Sequence, residues 1–478
     1  MALASAHHAA PAATLQRKQS DTAGEFADGA EETVIDHVVI QSDCEARNAL
    51  NGADTVSLDD ARETRSTTGG TNTRSTSKVL FLDGVRGMAT LLVVTEHSGY
   101  WSGKDLGACA VDIFFVLSAF LLTWLFYKKS EQLIAQQASP RKWGYALADY
   151  FSKRFFRVYP LFLLVAVFLW LLPYESQRRY FNVTVEGSYD LFQVLTFSFE
   201  HRFHVFWTLP LEIAYYLLIP VFVLTMLRLD REWWVPVVPL TIWIVNAGLN
   251  GYREHHMPLE PHLPTFLTGS MGAVVYMKFD AAIRRANFEF PMHVRIAVRV
   301  LEAVVLALLL SVAFKGLLFH WVMANPAPRT RGSQCISMHV TLLIVVEMLL
   351  PSPLAALFEW NMLRFWGKIS FSVYLLHSFV VYSPWLATQR DAFDKFFAAF
   401  FLIAALSTAS YYLVERPSQV LADHISKALR ARGDAVPLAN YLPVVLATPP
   451  LQCEHVRVNS TSSAGSDNVG DIEVFLEK

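Results

Sequence analysis

Long apolar runs separated by short polar segments dominate the sequence between residues 79 and 414. About ten of these runs reach the ~20 residues that a helix needs to cross the hydrocarbon core of a bilayer. Hydrophobic residues make up 53% of the 478 positions and charged residues 17%, which is too apolar for an ordinary water-soluble protein. We therefore predict an all-α fold, a polytopic membrane helix bundle of about ten transmembrane helices. The predicted spans centre on 80–98, 108–127, 156–173, 205–227, 233–249, 262–278, 297–318, 337–357, 365–386 and 394–414.

Polar tails flank the predicted transmembrane domain, which covers residues 79–417. Residues 1–78 are rich in small and charged residues and cannot bury enough apolar area to offset the entropy of ordering, so we predict a disordered N-terminal tail. The C-terminal tail, 418–478, starts with apolar residues at helical spacing, which predicts a short amphipathic helix. This segment fits a helix on the cytosolic face and an ordinary terminal helix equally well.

Basic residues are concentrated in alternate loops of the predicted bundle. With ten spans, these loops fall on one side of the membrane, which the positive-inside rule makes the cytosolic side. We therefore predict that both termini are cytosolic and that the protein lies in the plasma membrane or an endomembrane. The basic residues are Lys128, Lys129, Arg141, Lys142, Lys153, Arg154, Arg228, Arg231, Arg284, Arg285, Arg295, Arg416, Arg430 and Arg432.

Charge and cysteine content argue against several other classes of protein. The formal net charge of −2 gives no electrostatic basis for binding nucleic acid. The four cysteines, Cys44, Cys109, Cys335 and Cys453, are scattered without the spacing of a zinc site or a redox motif. We therefore predict no metal, no permanently bound cofactor and no nucleic-acid partner.

The first predicted span contains four ionisable residues, Asp83, Arg86, Glu96 and His97. Each costs on the order of 3 kcal/mol to insert, so each needs a partner or a functional role. Arg86 and His97 are eleven residues apart, which places them on one helix face, within about 20° of each other and ~16 Å apart along the axis. They form either part of a functional site or two interfacial anchors that snorkel to opposite headgroup layers.

The fourth predicted span places Thr208, Glu212, Tyr215 and Tyr216 on one face by their spacing. We expect Glu212 at the depth of His97, where a carboxylate would fix the tautomer of the imidazole and prepare it as a general base. The alternative is that Glu212 only complements the dipole at the start of its helix.

The ninth predicted span carries a polar stripe of Ser370, Tyr374 and His377. A satisfied interhelical hydrogen bond explains this stripe better than direct chemistry does. At the cytosolic end, five basic residues join Arg86 in a surface suited to a ligand with several phosphates, although positive-inside topology also predicts them. These five are Lys153, Arg154, Arg157, Lys368 and Arg416.

Six motifs together resemble the integral membrane acyltransferases of acyltransferase family 3. They are, in chain order, LDGVRGMATLLVVTEH, VDIFFVLSAFLLT, RFFRVYPL, FWTLPLEIAYYLLIP, GKISFSVYLLHS and YYLVERP, and they cover most of the membrane domain. The order of the motifs agrees with the family throughout. Three residues depart from it: Ala119 replaces the usual glycine, Pro210 a common polar residue and Ile213 a frequent second acidic residue.

The resemblance implies transfer of an acyl group, with acetyl-CoA as the expected donor, to a hydroxyl of a carbohydrate, lipid or secondary metabolite. His97 would act as general base, Glu212 would orient it, and Arg86 would stabilise negative charge on the pyrophosphate or the oxyanion. Lys153, Arg154, Arg157 and Arg416 would bind the phosphates of the donor. An acyl-histidine intermediate is an open variant. Residues predicted to contact substrate are Trp207, Thr208, Tyr215, Tyr374, His377 and Asp112.

Two other functions fit the same polar residues. A transporter or lipid-binding membrane protein would use them to line a pathway and would move its cargo without releasing thiol. A sensor that keeps the fold without catalysis is less favoured, because Arg86, His97 and Glu212 are all present.

Overall fold

The computed structural model describes residues 70–100, 106–198, 200–250, 258–324 and 336–434, with side chains for all of these except 70–79, 249 and 434. Most of both predicted tails lies outside the described residues. The first helix begins at Gly70, inside the segment predicted as a disordered tail.

Every regular element in the described ranges is helical, and those ranges contain no strand. Two 3₁₀ turns, His204–Trp207 and Asp230–Glu232, and one π-helical turn, Tyr411–Glu415, join longer helices. The α-helices are α1 (Gly70–His97), α2 (Leu106–Ala135), α3 (Pro140–Leu171), α4 (Tyr174–Phe181), α5 (Leu191–Leu195), α6 (Thr208–Leu229), α7 (Trp234–Asn250), α8 (Leu259–Arg285), α9 (Met292–Ala313), α10 (Trp321–Ala324), α11 (Ile336–Leu349), α12 (Pro353–Phe358), α13 (Asn361–Lys368), α14 (Ser370–Val381), α15 (Pro384–Ala387), α16 (Ala392–Ser410) and α17 (Arg416–Asp434).

Several of these helices have the length and hydropathy of membrane spans, which agrees with a membrane protein. Three shorter apolar helices, within α7, α11 and α14, fall below the length of a full span, so the predicted count of ten stays a prediction. The charges of α1 lower its mean hydropathy. The described segments that are long and apolar enough are Leu106–Ala135, Pro140–Leu171, His204–Glu232, Met292–Ala313 and Ala392–Gly433.

Glycines let α1 pack backbone to backbone against the segment that includes α12 and α13. A Cβ at Gly84 would overlap the carbonyl of Phe358, and one at Gly87 would overlap the carbonyl of Leu363. On the other side, a Cβ at Gly367 would overlap the carbonyl of Asp83. Small residues permit such close approach in membrane bundles. This packing fixes the position of the helix that carries Arg86 and His97.

Three charged side chains join α9 to α11, and none of them belongs to the six sequence motifs. The guanidinium of Arg299 forms ion pairs with Glu302 and, at 2.9 Å, with Glu347. The backbone amides of Ser352 and Ala355 donate to Glu347 at 2.9 and 3.2 Å, and the Ser352 hydroxyl donates to Glu302 at 3.3 Å. We refer to Arg299, Glu302 and Glu347 as the Arg299 cluster.

The C-terminal elements return to the bundle through the π-helical turn. Its last residue, Glu415, is buried and accepts a hydrogen bond from Ser372 of α14. Single π-helical turns interrupt α-helices mostly at functional sites. The predicted amphipathic helix is present as α17, where Arg430 forms an ion pair with Asp149 of α3 at 3.4 Å.

Candidate active site

A cavity of about 350 Å³ opens where α1 ends, α2 begins and the 3₁₀ turn leads into α6. Three residues predicted from the sequence, His97, Trp207 and Tyr374, line it. The first turn of α2 is tied to this region, since the amide of Gly107 donates to the Glu96 carboxylate at 2.5 Å. A carboxylate at a helix N-terminus also complements the helix dipole. Glu96 therefore fixes the start of α2 beside His97.

Two histidines from distant parts of the chain meet beside this cavity. Nδ1 of His97 lies 2.7 Å from Nε2 of His377, a hydrogen-bond distance. The His377 side chain is fully buried, and its Nδ1 lies 2.9 Å from the backbone carbonyl of Val373. The fold thus confirms an interhelical hydrogen bond for His377, and its partner is the candidate base.

A third imidazole, that of His204, stands beside this pair, with ring centroids 5.0 Å from His97 and 6.1 Å from His377. One nitrogen from each ring lies within 4.8 Å of the others, a donor set that zinc accepts. Nitrogens bound at ~2.0–2.1 Å to a tetrahedral zinc stand about 3.3 Å apart, whereas the His97–His377 contact is 2.7 Å. This contact is that of a hydrogen bond.

The contacts of Glu212 lie within α6 and with the arginines, and its expected pairing with His97 stays a prediction. The Glu212 carboxylate accepts a hydrogen bond from the Tyr216 hydroxyl at 2.8 Å, one helical turn further along α6. Arg86, Arg154 and Arg157 are close enough for their charges to act on it. Guanidinium groups stabilise a carboxylate inside a membrane bundle electrostatically.

Three arginines and two carboxylates form the inner end of the site. The guanidinium of Arg86 pairs with Asp83 at 3.0 Å, and the charge of Arg157 acts on both residues. Nε of Arg154 is buried and has no hydrogen-bond partner among the described residues. We refer to Arg86, Arg154, Arg157, Asp83 and Glu212 as the arginine cluster. With three cations and two carboxylates, it has a net positive charge.

Other basic residues predicted to bind phosphate lie at the margin of this cluster. Lys153 forms an ion pair with Asp149 at 3.7 Å, which already compensates part of its charge. Lys368 lies over the ring of Tyr411 at 5.3 Å, and Arg416 lies over the ring of Tyr412 at 5.7 Å. Cation–π contacts hold such groups in place without neutralising them.

Hydroxyl groups lie between the histidines and the arginine cluster. The Thr208 hydroxyl donates to the hydroxyl of Tyr374 at 3.0 Å. The Tyr374 ring lies 6.5 Å from the ring of His377, and the charge of Glu212 acts on Tyr374. Tyr374 is therefore near both the histidines and Glu212 of the arginine cluster.

Four predicted substrate contacts do not line the cavity. Thr208 and His377 contact its wall residues Tyr374 and His97, whereas Tyr215 and Asp112 are buried among the helices. Tyr215 is only 1% exposed, and its hydroxyl lies 2.6 Å from that of Ser270 on α8, which in turn accepts from Thr123 on α2. Asp112 is buried in α2 and is likewise absent from the cavity wall. Helical spacing put Tyr215 on the same face as Thr208, but two turns deeper that face packs against neighbouring helices.

The loops that precede α6 supply cavity residues that no sequence pattern predicted. Asn182, Arg202 and His204 line the cavity. His204 has a φ of 42°, an unusual conformation for a residue other than glycine, and such positions cluster at functional sites. Burial lowers the pKa of the Arg202 guanidinium from its ordinary value. In the sequence, Arg202 and His204 carry only the weak signal of polar residues just before a predicted span, and Asn182 lies earlier in the same loop.

Comparison with known proteins gives one family for this chain. The family described as an acyltransferase domain matches residues 79–416. The chain is 24% identical over 419 residues to a protein named "Putative O-acetyltransferase" from Staphylococcus aureus strain MRSA252, covering 82% of this chain and 65% of the relative. It is also 24% identical over 384 residues to a "Putative membrane-bound transacylase" of Komagataeibacter xylinus, covering 75% of this chain and 87% of the relative.

A shorter match of 36% identity over 90 residues, 18% of this chain and 41% of the relative, links it to the protein named "Protein 2 in picA locus" of Rhizobium radiobacter. The chain spans just under two thirds of the length of the staphylococcal relatives. No solved structure matches it.

Proposed function

Because the chain belongs to the acyltransferase family whose domain covers residues 79–416, we propose that it is a membrane-bound O-acyltransferase that uses acyl-CoA, acetyl-CoA in the first instance. The acceptor is a hydroxyl of a carbohydrate, a lipid or a secondary metabolite. The observation that carries this proposal is the position of His97, a hydrogen-bonded imidazole on the cavity wall, on the same helix as Arg86 of the positively charged arginine cluster.

The arginine cluster fits the phosphates of the donor. It combines a net positive charge with a buried guanidinium Nε that has no partner among the described residues, and guanidinium groups bind phosphate in a bidentate way. We place the entry of the donor on the side where α1 begins, which the basic loops predict to be cytosolic. Lys368 and Arg416, held over tyrosine rings, extend the positive surface toward that side.

The separation of Arg86 and His97 along α1 puts binding of the donor phosphates and the acyl-transfer step at different points of the helix. Arg86 and His97 stand ~16 Å apart along the helix axis, so one small group cannot contact both. Acyl-CoA is an elongated molecule whose phosphates and thioester are joined by the pantetheine arm. With its phosphates at Arg86, its thioester reaches the cavity beside His97. Arg86 therefore acts on the phosphates, and the hydroxyls of Thr208 and Tyr374 are the nearer groups for a developing oxyanion.

The reaction then follows from the cavity residues. An acceptor hydroxyl enters the cavity, and His97 removes its proton as the oxygen attacks the thioester carbonyl. The new carbon–oxygen bond forms, the carbon–sulfur bond breaks, and CoA leaves as a thiolate that takes the proton from His97. The products are the acyl ester and free CoA.

Purified protein in nanodiscs tests this function. Radiolabelled acetyl-CoA is supplied with a chito-oligosaccharide, a sterol or a glycolipid, and both labelled ester and free thiol are measured. We expect acceptor-dependent thiol release that falls roughly 10²–10⁴-fold in His97→Asn and is unchanged in the matched control His320→Asn, an exposed histidine.

A separate binding measurement makes the result independent of the acceptor. CoA alone is expected to raise the unfolding temperature of the protein, and this shift is expected to shrink in Arg157→Gln. Movement of an acceptor across a vesicle membrane without thiol release, unaffected by His97→Asn, would contradict the enzyme and favour a transporter.

A further inference from the structure

The contact between His97 and His377 has a geometry that identifies its type. The ring planes are nearly parallel, at 3°, while the centroids are 4.9 Å apart and the facing nitrogens 2.7 Å apart. Parallel rings stacked face to face cannot bring two nitrogens this close, because their atoms would overlap. The two imidazoles therefore lie edge to edge and almost in line, as in an N–H···N hydrogen bond.

The direction of this hydrogen bond is fixed by the group at its far end. The carbonyl oxygen of Val373 only accepts, so Nδ1 of His377, 2.9 Å away, carries a proton. In the neutral imidazole the other nitrogen, Nε2, is then an acceptor. Nδ1 of His97 must donate to it, and a neutral His97 that is protonated on Nδ1 carries its lone pair on Nε2.

We propose that His377 is a positioning residue that holds His97 in the tautomer protonated on Nδ1, so that Nε2 is the nitrogen that accepts the proton of the acceptor hydroxyl. This inference rests on the proposed function for its consequence in catalysis, but its statement about the tautomer stands on the geometry alone. Orienting His97 is the role that the sequence pattern assigned to Glu212.

A second imidazole suits this position better than a carboxylate does. When His97 takes up a proton on Nε2, its Nδ1–H bond to His377 becomes charge-assisted and stronger. Before that step, both rings are neutral, whereas a carboxylate at the same place would add a buried charge inside the bundle. His377 therefore stabilises the imidazolium without an ionised group in the resting state.

Two substitutions of His377 and one control test the proposal. His377→Leu removes the acceptor, whereas His377→Gln supplies an amide oxygen near the position of Nε2. Ser378→Ala, at a neighbouring and equally buried residue of α14, is the control for general damage to the helix. We expect kcat to fall on the order of 10²–10³-fold in His377→Leu, to stay within about tenfold of wild type in His377→Gln, and to be unchanged in Ser378→Ala. KM for acetyl-CoA is expected to stay within about twofold in all three, because the phosphates bind elsewhere.

Nitrogen-15 NMR of histidine-labelled protein reads the tautomer directly. The signal of His97, assigned by its loss in His97→Asn, is expected to show protonated Nδ1 in wild type and His377→Gln, and mainly protonated Nε2 in His377→Leu. This readout needs no acceptor, so it separates failure of this proposal from failure of the proposed function.

Three results would overturn the proposal. The first is protonated Nε2 on His97 in the wild-type protein. The second is a His377→Leu variant that folds, keeps the wild-type tautomer and keeps its kcat. The third is zinc retained at one equivalent in wild type and lost in His204→Ala, because His97 Nδ1 would then be a metal ligand and not a donor.

Discussion

The arginine cluster and the Arg299 cluster are both groups of charged side chains between helices, but they differ in how completely the protein supplies partners for their polar atoms. In the Arg299 cluster, all four carboxylate oxygens of Glu302 and Glu347 receive a hydrogen bond or ion pair from the chain. The arginine cluster has more cations than carboxylates and a buried guanidinium nitrogen without a partner among the described residues. A completed group stabilises a fold, whereas an incomplete one is suited to a ligand.

The largest effect is expected for the Arg299 cluster. Arg299→Met leaves two buried carboxylates without their cation and is expected to lower stability by about 3–5 kcal/mol, measured by thermal unfolding in detergent. The triple variant Arg299→Met, Glu302→Leu, Glu347→Leu is expected to recover most of this loss and to keep wild-type acyl transfer. A triple variant that folds but has lost activity would assign the Arg299 cluster a role in function. It would contradict the contrast drawn between the two clusters.

The next largest effect is expected at the arginine cluster, and it concerns activity. Arg157→Gln is expected to lower kcat/KM for acetyl-CoA roughly 100-fold, mainly through a higher KM. This fold-change corresponds to a loss of about 2–3 kcal/mol of binding free energy. Its unfolding temperature without ligand is expected to stay near that of wild type or rise, since one of the mutually repelling cations is removed. Arg179→Gln, at an exposed arginine of α4, is the matched control. A large loss of stability in Arg157→Gln would show that this cluster, too, is structural.

Substitutions of two glycines test whether the packing of α1 positions the arginine cluster. Gly87→Ala places a methyl group against the backbone carbonyl of Leu363, and Gly272→Ala places one against the side-chain methyl of Thr341. Backbone cannot yield as a side chain does, so we expect about 1–3 kcal/mol of destabilisation for Gly87→Ala and less for Gly272→Ala. Gly87→Ala is also expected to impair acyl transfer in the folded fraction, because it displaces Arg86. Equal activity per folded molecule in the two variants would contradict this link.

The smallest effect is expected at the margin of the arginine cluster. Arg416 is stacked on Tyr412, and its removal in Arg416→Gln is expected to cost about 0.5–1 kcal/mol in donor binding, a two- to fivefold rise in KM. This rise is expected to disappear at about 1 M salt, where the Debye length is near 3 Å. A KM difference that persists at high salt would place Arg416 in direct contact with the donor.

The helical fold was predictable because insertion into a bilayer leaves few alternatives to helices. The apolar runs identified the long helices α2, α3, α6, α9 and α16 by length and hydropathy alone. Hydropathy is less informative for α1, whose Asp83, Arg86 and Glu96 reduce the signal. The π-helical turn before α17 and the glycine contacts of α1 depend on tertiary packing, so the sequence pattern did not contain them.

The site was predictable along each helix and less so between helices. His97 and Tyr374 were identified as polar residues within predicted spans and Trp207 through the family resemblance, and all three line the cavity. Spacing gives no relative depth for two helices, so the pairing of Glu212 with His97 stays a prediction, while Glu212 accepts from Tyr216 and feels the charges of the arginines. His204 and Arg202 were missed because they lie in the loop region before α6, where no periodic pattern applies.

The backbone contacts that fix α1 have a consequence for the choice of donor. Because Arg86 and His97 belong to one continuous helix, their separation is set by ~1.5 Å per residue and cannot adapt to the molecule that binds. Under the proposed function, only a donor long enough to span this separation contacts both residues. Acetyl phosphate and short thioesters such as S-acetyl-N-acetylcysteamine carry the same reactive acyl group, but they reach only one end of this span. Under the proposed function, selectivity for the whole coenzyme is expected to follow from the spacing of Arg86 and His97 along α1, without any contact to the acyl group itself.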